Sequence, residues 1–461
     1  MSGIEQAIIA FADWIWDIPL LVLLLGGGLF FLIYSGFVPF RYIGHAVNIL
    51  CGKYDNPDDP GQINHFQALS TALAATVGMG NISGVAIAIA IGGPGAVFWM
   101  WVTALMGMAT KFFTATLAVM YRGKDRTGEV QGGPMYFIVE GLGKKWLPLA
   151  VFFSLAGLFG SLPIFQANQL TAIFHDVVLT PAGVPTGFMS HLITGIVITG
   201  LVGIVIFGGI KRIGKVASRL VPFMVVLYFL AVMVILIIHY QRVPEYLAMI
   251  FVNAFNAENY HGSAMFGGTL GGLIILGARR AAFSNEAGIG TAPMAHGAAK
   301  TTEPVREGLV AMLGPAIDTL FVCTLTALAI LVTDVWKTGD DNGISLTVKA
   351  FNEAIPFAGK YILMLAVLVF SLSTMFSYSY YGGKCSNFLA GPAARKGYTI
   401  FYVVTILIAS VASLTAVESL VSGSFALMSI PTMTSALLLA PMVKKATINY
   451  FSRMKENGTL K

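Results

Sequence analysis

Glycines, hydroxyls and an amide recur at two places in otherwise apolar sequence. Ala74-Ala75-Thr76-Val77-Gly78-Met79-Gly80-Asn81-Ile82-Ser83-Gly84 is one, and Phe266-Gly267-Gly268-Thr269-Leu270-Gly271-Gly272 is the other. Residues of these types support one kind of chemistry without a charged side chain. A helix unwound at such a stretch frees backbone carbonyls, which together with Ser and Thr hydroxyls replace the water around a small cation such as sodium. It also exposes amides at the start of a half-helix, where the positive end of the dipole suits a carboxylate. Unwinding from Gly78 to Asn81 would serve the carboxylate of a zwitterion. Carbonyls freed near Gly267 to Gly271, with the Thr269 hydroxyl, would serve its ammonium. Glycine also lets helices approach closely, but two such stretches in matching halves of a chain point to interrupted helices.

Other polar groups stand in apolar surroundings. Pro163 precedes Phe165, Gln166, Asn168 and Gln169; proline removes a helix hydrogen bond, and Gln166 and Gln169 share a helix face. Substrate contact and bonds to neighbouring helices both fit these amides. Phe165 and Trp101 are candidates to close a pocket against large side chains. Ser371, Ser373, Thr374, Ser377 and Ser379 make one helix rich in hydroxyls, which also bond back to the preceding turn. Lys111 and Asp318 are ionisable groups inside apolar runs and so are functional candidates. Lys111 is expected to snorkel toward water. Glu286, Arg279, Arg280 and Glu303 are expected to cluster at the cytoplasmic end of the seventh span and beyond.

Several functions are excluded. Cys51, Cys323 and Cys385 lie too far apart in sequence for a disulfide framework or zinc site, and the seven histidines show no metal-ligand spacing, so no transition metal is expected. Gly209-Ile210-Lys211-Arg212-Ile213-Gly214-Lys215 approximates a phosphate-binding loop, but Val216 replaces the magnesium-binding hydroxyl, which argues against ATP. The sequon Asn81-Ile82-Ser83 lies too deep in a span for glycosylation.

The elements that must position these residues are membrane helices. Hydrophobic residues are 56% of the 461 and charged residues 11%, with a mean hydropathy of +0.78, whereas soluble domains are roughly 25% charged. Apolar runs occur at about 18 to 37, 66 to 91, 94 to 121, 147 to 179, 189 to 208, 216 to 239, 264 to 283, 306 to 333, 359 to 381, 398 to 417 and 419 to 443. An all-α integral membrane fold of eleven spans follows. Alternate loops divide Lys and Arg 23 to 4, which puts the N-terminus outside and the C-terminus in the cytoplasm. This accounts for the net charge of +6 without nucleic acid. Residues 1–17 read as an interfacial amphipathic segment. The two glycine-rich stretches begin five spans apart and so cross the bilayer in opposite directions, the mark of an inverted repeat with one broken helix in each half.

The motifs Ala68-Leu69-Ser70-Thr71-Ala72-Leu73-Ala74-Ala75-Thr76-Val77-Gly78-Met79-Gly80-Asn81, Gly92-Gly93-Pro94-Gly95-Ala96-Val97-Phe98-Trp99-Met100-Trp101, Gly132-Gly133-Pro134-Met135-Tyr136 and Asn285-Glu286-Ala287-Gly288-Ile289-Gly290-Thr291-Ala292-Pro293 resemble those of the alanine or glycine:cation symporter family, a branch of the amino acid-polyamine-cation superfamily. The similarity runs over nearly the whole chain. It implies a five-plus-five inverted-repeat core, residues 66–239 and 264–443, with 18–37 as an additional first helix and 444–461 as a cytoplasmic tail. It also implies sodium-driven uptake of alanine or glycine by alternating access in the plasma membrane. Thr76, Gly78, Met79, Gly80, Asn81, Phe165, Gln166, Gln169, Gly268 and Thr269 are then the expected substrate contacts. Superfamily members with Ala-Val-Gly-x-Gly-Asn imply two sodium sites. One lies near Thr76, Asn81 and Thr269, the other between the Ala74 and Val77 carbonyls and the ninth span, with Ser373, Thr374 and Ser377.

A proton-coupled transporter of another small zwitterion is the nearest alternative. An ion channel requires a continuous polar pore, and an enzyme requires a positioned acid, base, nucleophile or metal. Neither pattern is visible in the spans.

Overall fold

A computed structural model describes residues 3–16, 18–126, 128–256, 270–338 and 343–456. The chain is helical almost throughout. Its principal helices are α1 (Gly3–Ile15), α2 (Ile18–Tyr34), α3 (His65–Thr76), α4 (Gly80–Gly92), α5 (Gly95–Met120), α6 (Leu147–Gly160), α7 (Ile164–Phe174), α8 (Phe188–Ile206), α9 (Gly209–Ile238), α10 (Val243–Asn253), α11 (Leu270–Asn285), α12 (Ala292–His296), α13 (Pro304–Leu331), α14 (Ile344–Ala354), α15 (Gly359–Ala390), α16 (Pro392–Val411), α17 (Leu414–Leu438) and α18 (Ala440–Glu456). A two-stranded antiparallel ribbon, Gly123–Lys124 with Val130–Gln131, lies in the connection after α5.

Eight helices among the described residues are long and apolar enough to cross a bilayer alone, and the bent pairs α1–α2 and α3–α4 raise the number to ten. The pair α11 and α12 follows α10. Arg279 of α11 pairs with Asp13 near the end of α1, and Arg280 pairs with Glu418 in the first turns of α17. Beyond α12, Lys300 reaches the Pro57 carbonyl and Glu303 pairs with Arg453 of α18. Arg279 and Arg280 are therefore held apart from Lys300 and Glu303, and the expected cluster is not formed. Glu303 alone of the expected cluster lies at the tail-side face.

The helices form two layers. In α8, α9 and α16 only 28 to 33% of the apolar stretch is buried, because the rest faces lipid; in α5, α13 and α17 the figure is 72 to 78%. Of the broken pairs, α3 packs against α9, α12 and α15, and α11 packs against α5 of the more buried set.

Candidate functional site: two interrupted helices

The first interruption is built from local chemistry. Asn64 starts α3 with a capping box, its Oδ1 accepting from Gln67 N at 2.8 Å while Gln67 Oε1 accepts from Asn64 N at 3.2 Å. The helix stops where Val77 turns to extended backbone, ψ 91°, and α4 leaves at 52° to α3. Asn81 Oδ1 accepts from Gly78 N at 2.8 Å, taking the place of the Ala74 carbonyl one turn earlier. The Asn81 side chain thus stabilises the break while its Nδ2 donates to Asp318 Oδ1 at 2.7 Å.

The second interruption lies at Glu286–Thr291, between α11 and α12. Of the expected glycine-rich stretch, Gly267, Gly268 and Thr269 lie outside the described residues, and Gly271 and Gly272 belong to the first turn of α11. Among the described residues an interruption falls on Asn285-Glu286-Ala287-Gly288-Ile289-Gly290-Thr291. Three residues there take left-handed backbone, Glu286 at φ 55°, Gly288 at 87° and Gly290 at 101°. Asn285 Oδ1 accepts from Ala287 N at 2.9 Å as α11 ends.

The two breaks meet. A Cβ on Gly80 would sit 3.1 Å from the Ser284 Cα, so the start of α4 lies directly against the end of α11. Asp318, where α13 widens into a π-helical turn over Ala316–Cys323, joins them. Its Oδ1 accepts from Asn81, and its Oδ2 accepts from Ser284 Oγ and Thr319 Oγ1, each at 2.8 Å. Glu286 is also buried, accepting from Thr291 across its own break and from Tyr378 of α15. Lys111 is 2% exposed and does not snorkel; it lies within electrostatic reach of both Glu286 and Asp318. Its aliphatic stem packs on Gly314.

The expected residues divide. Thr374 of α15 faces the first break, since a Cβ on Gly78 would come within 2.5 Å of its Oγ1. Thr374 donates to the Phe370 carbonyl at 3.1 Å and keeps its lone pairs for another partner. Ser373 also donates to Phe370 and sits against Met224 of α9. Thr76 Oγ1, Ser377 Oγ and Gln166 Oε1 are buried polar atoms with no hydrogen-bond partner among the described residues, as atoms waiting for a ligand would be. Phe165 stands edge-on to Phe283 with ring centroids 5.2 Å apart, closing one side of the breaks. Gln169 accepts from Ser83 at 3.0 Å and lies beneath Gly343 at the start of α14. Trp101 packs elsewhere, donating to Thr324 at 2.7 Å beside Phe251.

Two features escaped the sequence reading. Glu286, expected with Arg279, Arg280 and Glu303 at the cytoplasmic end of the seventh span, lies instead in the break that Gly288 and Gly290 mark. Tyr378 lies one turn beyond Thr374 within the hydroxyl-rich helix, where an aromatic gave no separate signal.

Two broken helices crossing side by side, lined by buried hydroxyls and amides and enclosed by intact spans, define a membrane transporter with a central site. Residues 1–461 match the model of the sodium:alanine symporter family. The sodium/alanine symporter AgcS of Methanococcus maripaludis is 40% identical over 450 residues, 96% of each chain. The probable sodium/glutamine symporter GlnT of Bacillus subtilis is 34% identical over 466 residues, 99% of this chain and 93% of the other. Among solved structures, MhsT in complex with L-phenylalanine aligns with a TM-score of 0.60 at 14% identity, covering 82% of this chain and 89% of MhsT, and so shares the LeuT-type transporter fold. The chain belongs to the sodium:alanine symporter family. It is a cation-coupled amino acid symporter, a multi-pass membrane protein and not an enzyme.

Proposed function

We propose that the chain couples sodium entry to the uptake of a small neutral amino acid, alanine or glycine, by alternating access in the plasma membrane. The N-terminus is then outside and the C-terminus cytoplasmic, as the basic residues favour. The observation that carries this reading is the seating of Thr374 against Gly78. There a break has given up the Ala74 helix bond, and a neighbouring helix presents an oxygen. Ala74 and Val77 carbonyls, Thr374 and Ser377 would take one sodium ion. Thr76 and Asn81 would take a second beside the substrate. The free amides of Met79 and Gly80 suit the substrate carboxylate, and Gln166 its ammonium. Close approach of Gly80 to Ser284, with Phe165 against Phe283, supports a small side chain.

A second reading, proton-coupled transport of another small zwitterion, draws on Glu286, a buried carboxylate at the second break. Uptake of radiolabelled alanine into proteoliposomes separates the two. The first reading expects saturable uptake that requires a sodium gradient and yields to glycine but not to equal leucine or phenylalanine. Uptake driven by a proton gradient without sodium favours the second, and leakage without saturation removes both.

A further inference from the structure

Away from the central site, three buried side chains from three separate elements converge. His65 opens α3, His296 closes α12, and Glu307 lies in the first turn of α13; their side chains are at most 1% exposed. Glu307 Oε1 accepts from His296 Nδ1 at 2.5 Å, and Oε2 pairs with His65 Nδ1. A carboxylate only accepts, so each Nδ1 is the donor. One carboxylate thereby ties together the outer ends of the half-helices α3 and α12 that lead into the two breaks.

A backbone seam runs beside this clasp. Ile63 bridges Ala299, Gln62 N donates to Ala298 O at 2.8 Å, and Lys300 N donates to Ile63 O at 2.6 Å. Arg122 fastens the same two segments, donating to Pro60 O at 3.1 Å, Gly297 O at 2.9 Å, Thr301 O at 3.0 Å and Ala299 O. Such charge-assisted bonds are the strong ones, and here they join residues 60–63 to residues 297–301 near Glu303, which pairs with Arg453 of α18. The clasp also carries a cost that opening relieves. His296 Nε2 is buried without a hydrogen-bond partner among the described residues, whereas His65 Nε2 faces Asp55 Oδ1 at 4.0 Å, and water would reach His296 once the segments part.

We infer that Glu307 is a gating residue: its bond to His65 and His296 holds the path on the α18 side closed, and that bond must break for solute to leave the central site on this side. The inference rests on the alternating-access reading, and Glu307 acts by positioning α3 and α12, without touching substrate.

The test uses the full chain in liposomes with Cys51→Ser and a reporter, Ile63→Cys, at a position that is 2% exposed in the closed seam. The rate at which a membrane-impermeant maleimide modifies the reporter measures how often the seam opens. Adding Glu307→Gln is expected to raise that rate roughly ten- to a hundredfold, the weight of one or two charge-assisted bonds, while buried Cys323 stays unmodified. A purely structural role predicts instead that Cys323 becomes reactive together with the reporter, which overturns the proposal. An unchanged labelling rate in folded Glu307→Gln overturns it as well. Should Glu307→Gln fail to fold, His296→Asn carries the same measurement with the same expected and overturning results. A second arm joins Ile63→Cys to Ala299→Cys as a disulfide: loss of alanine uptake that returns on reduction supports the seam as a gate, and undiminished uptake by the locked chain refutes it. The labelling arm needs no transported solute, so a wrong substrate assignment would leave it readable.

Discussion

The two interrupted helices do the same geometrical job by different means. At Val77–Met79 the backbone needs no left-handed residue, and one side-chain amide, Asn81 Oδ1, substitutes for the lost helix acceptor. At Glu286–Thr291 the chain turns through three left-handed residues, one of them a glutamate, and fastens the turn with a buried carboxylate. A non-glycine residue in that region costs on the order of 1 to 3 kcal/mol and persists only where its surroundings over-determine it. The first break thus carries no ionisable side chain of its own, faces α15 and reaches a carboxylate only through Asn81. The second is a rigid, charged turn whose cost is offset by Tyr378, Thr291 and the nearby Lys111. The comparison teaches that a pair of half-helices can be matched in place and opposed in chemistry.

The contrast is most sharply tested at Gly290. Its φ of 101° disfavours any side chain, and an added Cβ would stand 2.4 Å from Thr432 Oγ1 and 2.7 Å from both Phe153 and Pro134. Gly290→Ala should cost on the order of 3 kcal/mol or more, seen as a large drop in melting temperature in detergent or loss of folded protein. A wild-type melting temperature would show that the second break is not rigid.

Glu286→Gln keeps the size and one acceptor of the side chain but removes its charge. We expect uptake to fall by at least about tenfold, the effect of losing a charged partner worth 1.5 to 3 kcal/mol, with folded protein retained. Wild-type uptake by this variant would remove charge from the account of the second break.

Gly78→Ala probes the first break. Its Cβ would press only on the Thr374 hydroxyl, so the chain should fold and the fault should appear in the apparent sodium affinity, weakened roughly five- to a hundredfold for a lost ligand worth 1 to 3 kcal/mol. Thr374→Ala should shift the same parameter, and the double variant should be less than additive because both act on one contact. Ser373→Ala, whose hydroxyl faces Met224, should shift it less. Equal sodium dependence in all of these variants would place the ion elsewhere.

Asp334 serves as a control remote from both breaks. Burial pushes its carboxyl up, but hydrogen bonds from Lys337 and Tyr246 and the charge of Arg242 bring it below the usual carboxylate range. Its contribution is therefore present above the unfolded-state value of about 4 and is lost as pH falls through the lower folded value. It takes left-handed backbone at φ 62°, which asparagine tolerates, so Asp334→Asn changes little but charge. At neutral pH the loss should be within about 1 kcal/mol, as for exposed pairs, and thermal unfolding at pH 7 and pH 4 should show the variant's deficit narrowing with acid. A deficit that grows with acid would reverse the assigned sign.

The sequence alone carries the membrane assignment, the all-helical fold and most of the apolar spans, because lipid forces every backbone group into internal hydrogen bonds and leaves a long apolar run as its trace. It also determined the first break, since glycines beside an asparagine at mid-span have few other uses, and the hydroxyl-rich α15 that meets it. Tertiary structure alone decided the rest. The Gly267–Thr269 part of the second glycine-rich stretch lies outside the described residues, and only packing shows the turn at Glu286, where left-handed backbone and a carboxylate are stabilised by Tyr378, 92 residues away. The expected cluster of Arg279 and Arg280 with Glu303 is split, because Asp13 and Glu418 hold the two arginines. Asp318 and Lys111 were visible as charges in lipid, but their partners come from other helices. A buried charge is defined by what surrounds it, and contacts made across the fold leave no periodic trace along the chain.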